Sequence, residues 1–234
     1  MKGVALKDLL EAGCHFGHQA CRWNPKMKPY LYGVRDGVHI FDLAKTKEGL
    51  EAAAAFAKTT VNQGGKIIFV GTKRQASSII SQEAKKVGMP YISERWLGGI
   101  ITNWDQIKKS INKLKEMKEK RQKGEYKKYT KKEQLLLDRE INYLEKFFGG
   151  LVDLEKLPEA LFVVDIKKEM AAVREARNKE IPIIATVDSN CDPSLVDYVI
   201  PANDDAAGSI KLIVETIAKA VKEGKEAFEK KMKK

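Results

Sequence analysis

Lys66-Ile-Ile-Phe-Val-Gly71 is a run of four apolar residues closed by a glycine. A run this short, with no polar residue alternating through it, predicts a strand buried on both faces, and such strands belong to parallel sheets. Three further runs share this character: Leu161-Phe-Val-Val-Asp165, Ile183-Ile-Ala-Thr-Val-Asp188 after Pro182, and the shorter Tyr198-Val-Ile200. Helical patterns separate them. Ala76, Ile79, Ile80 and Ala84 share one face of a helix that stops at Gly88-Met-Pro90. A second helix runs from Lys168 to Lys179. A third begins at Ala206 and sets Ile210, Ile213, Val214, Ile217 and Val221 on one face. Strand alternating with helix predicts an α/β fold whose parallel sheet is covered on both sides.

Residues 102–150 break this rhythm. Trp104, Ile107, Ile111, Leu114 and Met117 recur at three- and four-residue steps, as do Leu137, Ile141, Leu144 and Phe148. Each set makes one apolar stripe on an otherwise charged helix. Asn103 with Gln106 is placed to cap the first arm, and Thr130 with Glu133 forms a capping box for the second. Gly124 marks the turn and Gly149-Gly150 ends the return arm. Each arm is about 27–30 Å long at the helical rise. The pattern predicts an antiparallel helical hairpin (102–150) inserted into an α/β domain made of 1–101 and 151–234, its two stripes packed on each other.

The 234 residues carry 43 Lys+Arg against 32 Asp+Glu, a net charge of +11. Hydrophobic residues make up 43% of the chain, so it is not a disordered basic tail. The excess cation makes a polyanion the default partner. Its distribution is uneven: residues 102–150 hold fourteen basic and eight acidic groups, residues 151–218 seven and thirteen. A polyanion is therefore expected to meet the hairpin and the first hundred residues, with 151–218 facing elsewhere. Three cysteines are too few for a disulfide framework. No stretch approaches the roughly 20 apolar residues of a bilayer span, and the amino terminus lacks a signal peptide's apolar run. The expected location is cytoplasmic, with no membrane partner.

Gly71-Thr-Lys-Arg74 sits where a strand turns into a helix, a place where α/β folds hold phosphate. It lacks the second glycine and the ending of a Walker loop, and no GxGxxG is present. Lys73 and Arg74 read better as contacts to nucleic-acid phosphates than as a free-nucleotide site. Asp165, Asp188, Asp204 and Asp205 fall at the carboxyl ends of strands, where they could hold magnesium or serve as turns and caps. Cys14, His18 and Cys21 are three potential zinc ligands that lack a fourth, for which His15, His39 or Cys191 would have to come from elsewhere. No catalytic triad is visible, and no cofactor or metal is assigned.

Arg22-Trp-Asn-Pro-Lys-Met-Lys-Pro-Tyr30 interleaves Arg22, Lys26 and Lys28 with Trp23 and Tyr30 on a proline-restricted loop. Cations for phosphates beside planes for stacking are the ingredients of RNA recognition. Arg95-Trp96-Leu-Gly-Gly99, followed by Thr102-Asn103-Trp104, repeats the combination just before Lys108 and Lys109 of the hairpin. Two competing readings remain. One is a phosphoryl-transfer enzyme using Asp165, Asp188 and Asp204 with magnesium. The other is a protein-binding module working through the Trp104–Met117 stripe.

At these residues the chain resembles the bacterial small-subunit ribosomal protein S-two family. The likeness is carried by Leu9-Leu-Glu-Ala-Gly-Cys-His-Phe-Gly-His18 and Arg22-Trp-Asn-Pro-Lys-Met-Lys-Pro29. Phe69-Val-Gly-Thr-Lys-Arg74, Arg95-Trp-Leu-Gly-Gly99, Ile101-Thr-Asn-Trp104 and Thr130-Lys-Lys-Glu133 continue it, as do Pro158-Glu-Ala-Leu-Phe-Val-Val-Asp165 and Ile200-Pro-Ala-Asn-Asp-Asp205. The resemblance implies a flavodoxin-like three-layer parallel sheet with an inserted coiled-coil hairpin. It also implies a non-enzymatic constituent of the small ribosomal subunit, present as a monomer within the ribosome. Such a protein binds ribosomal RNA, joins late in assembly and helps hold ribosomal protein S-one. The RNA-contacting positions it implies are the loop Arg22 to Lys28, Lys73-Arg74, Arg95-Trp96 and the basic hairpin face. Cys14 and Cys21 depart from the pattern, standing where an aliphatic and a polar or basic residue are expected, and the tail Lys230-Lys-Met-Lys-Lys234 lies beyond it.

Overall fold

A computed structural model describes residues 4–232. The apolar runs form strands β4 (Ile67–Val70), β6 (Ala160–Val164), β7 (Ile183–Val187) and β8 (Tyr198–Pro201), joined at one edge by the two-residue β5 (Tyr91–Ile92). All pairings in this sheet are parallel, and its order is β5-β4-β6-β7-β8. Counted in chain order within the sheet this is 2-1-3-4-5, the flavodoxin-like arrangement.

The two-residue period of a strand then builds three layers. Ile67, Phe69, Phe162, Val164 and Ile184 point into one apolar cluster with α2 (Leu43–Asn62), α3 (Arg74–Val87) and α7 (Ala207–Met232). Ile68, Val70, Leu161, Val163, Ile183 and Ala185 point the other way, into a cluster with α6 (Met170–Asn178) and two long helices, α4 (Trp104–Gln122) and α5 (Lys131–Phe148). Gly49 lets α2 lie against β8, since a Cβ there would fall 2.3 Å from the Val199 carbonyl oxygen.

Of the expected stripes, Ile107, Ile111, Leu114 and Met117 of α4 and Ile141, Leu144 and Phe148 of α5 are buried, while Trp104 and Leu137 are only partly so. Arg121 pairs with Asp138 at 3.2 Å across the two helices, Lys113–Glu140 and Lys118–Glu145 bridge them as well, and the short turn between Gln122 and Lys131 makes the packed pair antiparallel. The stripes belong to the same apolar cluster as the sheet's lower face. The Thr130–Glu133 capping box is present and Gly124 takes a positive φ of 74° at the turn.

Two local expectations are corrected, the cap at Asn103 and the start of the helix read from Lys168. Asn103 makes no side-chain cap. Gly149 ends α5 as expected, in right-handed backbone (φ −57°). Its neighbour Gly150 is needed for close approach, as a Cβ there would lie 2.1 Å from the Tyr91 carbonyl oxygen. The helix expected from Lys168 starts at Met170, after a turn in which Asp165, at φ 67°, accepts from Lys168 N.

Ahead of the parallel sheet lies a second, antiparallel one that the apolar pattern did not announce. After the short α1 (Leu6–Glu11), β1 (Phe16–Gln19), β2 (Leu31–Arg35) and β3 (Val38–Phe41) pair in the order β1-β3-β2. Of the carboxyl-terminal lysines, Lys230 and Lys231 lie in the last turn of α7, and residues 233 and 234 fall outside the described residues.

Candidate nucleic-acid interface

The loop between β1 and β2 is set by local chemistry. Asn24 accepts from Lys26 N at 3.0 Å, and Pro25 opens a short 3-10 helix through Tyr30. Met27 is buried beneath it, while Arg22, Lys26 and Lys28 stand exposed. Trp23 is half-buried with its ring centroid 5.0 Å from that of His39. Asn24 N donates to the Ser189 carbonyl at 2.7 Å, which ties the loop to the end of β7. Lys26 Nζ is taken by Asp192 at 2.7 Å and Ser194 Oγ at 3.0 Å, and hydrogen bonding to Lys26 holds the Asp192 carboxyl down at about 2. Arg22 and Lys28 have no carboxylate partner among the described residues.

The strand-to-helix turn at Gly71 is already filled. Glu169 accepts from Thr72 N at 2.9 Å and from Thr72 Oγ1, so its buried carboxylate sits where a phosphate would meet the α3 terminus. Lys73 Nζ lies 3.2 Å from Asp165, 2.8 Å from Asp204 and 2.6 Å from Asp205, with its side chain 16% exposed. Lys73, expected to meet RNA phosphates, is thus occupied as the counter-ion of these aspartates. Burial lowers its pKa, but the carboxylates of Asp204 and Asp205 outweigh that, and the net shift is upward. Burial, with the charges of Asp188 and Asp165 beside it, pushes the Asp204 carboxyl upward, against the pull of Lys73. Arg74, one residue on, is exposed and belongs to no ion pair among the described residues.

The four aspartates expected at the strand ends do converge, but the Lys73 ammonium takes the centre of the group. At its rim, His18 Nδ1 lies 2.9 Å from Asp188 and His18 Nε2 lies 3.6 Å from Asp205. His18, Asp204 and Asp205 each present one ligand atom within 4.8 Å of the others, as do Asp165, Cys191 and Asp204. The Cys14–His18–Cys21 set does not converge: Cys14 is buried in the α2–α7 cluster beside Ser209, whereas Cys21 is exposed near Gln19.

Before the hairpin, Arg95 is exposed but Trp96 is only 6% exposed, and its Nε1 donates to Glu175 at 3.0 Å. Trp96 is an anchor, not the stacking platform expected from its neighbours. Trp104 is half-buried against the core, and Asn103, Lys108 and Lys109 are exposed. Beyond them Lys115, Lys120, Lys123, Lys127, Lys128, Lys131, Lys132 and Arg139 are exposed cations with no ion pair among the described residues. The Trp104–Met117 stripe is consumed in the protein's own core, which removes it as a docking surface.

The acidic stretch 151–218 does not simply face away. Asp165, Glu169, Asp188 and Asp204 are buried, and Glu175 and Asp192 hold the loops that carry the cations. Sequence reasoning missed Glu169 and Glu175, one just before and one within the short α6. It also missed a groove of about 570 Å³ bordered by Leu10, Phe16, Tyr32, Val34 and Ile40 of α1 and the small sheet, in which Tyr32 is 83% exposed.

A family model described as Ribosomal protein S2 matches residues 9–224. The small ribosomal subunit protein uS2 of Coprothermobacter proteolyticus is 52% identical over 226 residues, 97% of this chain and 84% of that protein. Its namesake in Koribacter versatilis is 49% identical over 232 residues (99% and 77%), and that of a Roseiflexus species 51% over 221 (94% and 84%).

Proposed function

The chain belongs to the ribosomal protein S2 family, and from that premise we propose that it is a structural constituent of the small ribosomal subunit, binding ribosomal RNA and neighbouring ribosomal proteins in the cytoplasm. The observation that carries this reading is the set of exposed cations that belong to no ion pair among the described residues: Arg22 and Lys28 on one loop, Arg74, Arg95, and on the hairpin Lys108, Lys109, Lys115 and Lys120. Three of the hairpin's eight acids and three of its fourteen bases are spent on cross-hairpin pairs, which leaves eleven bases against five acids. Such a surface works by displacing counter-ions from phosphates and by fitting RNA shape, without turnover. The nucleotide-binding alternative loses support because Glu169 takes the backbone donor a phosphate would use and Asp204 already pairs with Lys73, the cation a phosphate would need.

The apolar groove around Phe16 and Tyr32 favours a protein neighbour over RNA, since exposed contiguous apolar surface marks protein contacts. The family resemblance names S-one for that role, with late entry into the assembling subunit. The test is reconstitution: the purified protein should bind small subunits stripped of their own copy, and Arg22→Ala with Arg95→Ala should weaken binding while leaving circular dichroism unchanged. Binding at wild-type strength by the double variant would remove both loops from the interface.

A further inference from the structure

The loop from Arg95 to Trp104 is the root of the hairpin, and its path is set by one side chain. Oε1 of Glu175, on α6, accepts from Trp96 Nε1 at 3.0 Å and from Gly99 N at 2.8 Å. Oε2 accepts from Ile101 N at 3.0 Å, and from Thr102 N and Thr102 Oγ1 at 3.1 Å each. Five donors from a stretch of seven residues therefore converge on a carboxylate that makes no ion pair among the described residues. Burial raises its pKa, but the hydrogen bonds from Trp96, Gly99, Thr102 and Ile101 outweigh it and leave the group below the ordinary carboxylate value. A carboxylate held by neutral dipoles alone is a strong and directional tie.

That tie sits between the two parts of the proposed RNA surface. On its amino-terminal side Arg95 precedes Trp96 by one residue; on its carboxyl-terminal side α4 begins two residues after Thr102 and carries Lys108 and Lys109. Apolar packing of Ile100 and Ile101 fixes how deep the root sits, but such packing is non-directional. Lys146–Glu94 at 3.2 Å is an exposed pair and worth little. Direction must come from hydrogen bonds, and those that tie Trp96–Thr102 to another element among the described residues end on Glu175.

We propose that Glu175 is the positioning residue of the RNA surface, aiming Arg95 and the hairpin by holding the Trp96–Thr102 backbone against α6. The proposal rests on the reading of that surface as an RNA interface. Glu175→Gln keeps size but turns an amide NH2 towards donors on one side, so at least one group of bonds is lost. Glu175→Asp keeps the charge and is one methylene too short to reach both sides.

The experiment separates aim from binding. In a Cys21→Ser background, spin labels at Lys123→Cys on the hairpin turn and Ser78→Cys on α3 report the hairpin's angle in the isolated protein. The Trp96 indole N–H, one of three such signals, reports the tie itself. With Glu175, one narrow label distance is expected. With Glu175→Gln the distance should broaden or shift, the Trp96 signal should move upfield, and binding to stripped small subunits should weaken about tenfold. Glu175→Asp should fall between the two, and it serves alone if Glu175→Gln fails to fold. An unchanged distance and indole signal in either folded variant overturns the proposal. So does an altered distance with undiminished subunit binding. Failure of the wild-type protein itself to bind subunits would instead sink the underlying RNA reading, while leaving the distance measurement to judge the tie.

Discussion

Lys73 Nζ lies 2.8 Å from Asp204 Oδ1, at a site where the lysine side chain is 16% exposed and the aspartate 2%. A cation in a strand-to-helix turn thus serves the interior of the sheet edge, drawing Asp165, Asp204 and Asp205 together, while the exposed Arg74 beside it remains available outside.

Removing one partner of a buried ionic group leaves uncompensated charge. Lys73→Ala should therefore lower unfolding stability by about 3–5 kcal/mol, read from urea denaturation. Arg74→Ala should change it by less than about 0.5 kcal/mol while weakening RNA binding. Equal, small stability effects from both would contradict the assignment of Lys73 to the interior.

The Lys26–Asp192 pair makes a pH prediction. Hydrogen bonding to Lys26, then to Ser194, depresses the Asp192 carboxyl to about 2 in the folded state. A group depressed on folding contributes above its unfolded value, near ~3.9, and that contribution disappears as pH falls through the folded one. The stability difference between wild type and Asp192→Asn should be constant above pH ~5 and shrink between ~4 and 2. In Lys26→Ala, the Asp192 titration followed by NMR should move up towards the ordinary carboxylate range. A difference independent of pH would deny the pair.

Leu114 is fully buried in the stripe that α4 presents to α5, within the same cluster as Ile68 and Leu161 of the sheet. Leu114→Ala should cost about 2–5 kcal/mol. We propose that the hairpin (102–150) and the α/β unit (1–101 with 151–234) unfold together because they share this cluster. One coincident transition by far-UV circular dichroism and by tryptophan fluorescence is expected; two separated transitions would show an independently stable hairpin.

Gly150 meets Tyr91 too closely to admit a side chain, with only 2.1 Å between a Cβ and the carbonyl oxygen. Gly150→Ala should push the end of α5 away from β5 and destabilise by about 1–3 kcal/mol, as overpacking does. Gly98→Ala, in open space one loop away, is the control and should have a far smaller effect.

What could be read beforehand followed from burial geometry. The run Ile67–Val70 announces a strand because both its faces are covered, and the stripes of the hairpin announce helices because one face is. The strand Leu31–Arg35 gave no such sign, since all but its first residue are exposed and Gly33 interrupts it. Among candidate contacts, residue type was a poor guide to direction. Lys73 and Trp96 look the same in sequence whether they meet RNA or tie the interior together. The partners that decide the matter, Asp204 and Glu175, lie 131 and 79 residues away.

We propose that the unpaired surface cations do the work of this protein by meeting RNA phosphates. The most direct measurement is co-sedimentation with small ribosomal subunits lacking their own copy, across a salt series. Each phosphate contact should add about 0.7–0.9 to the slope of log affinity against log salt. Arg22→Ala, Arg74→Ala and Arg95→Ala should each reduce that slope by about one contact, while Lys73→Ala should weaken the fold and leave the slope of the folded fraction intact. Protein that stays at the top of the gradient at low salt, or binds with a slope indifferent to all three arginines, would contradict the account.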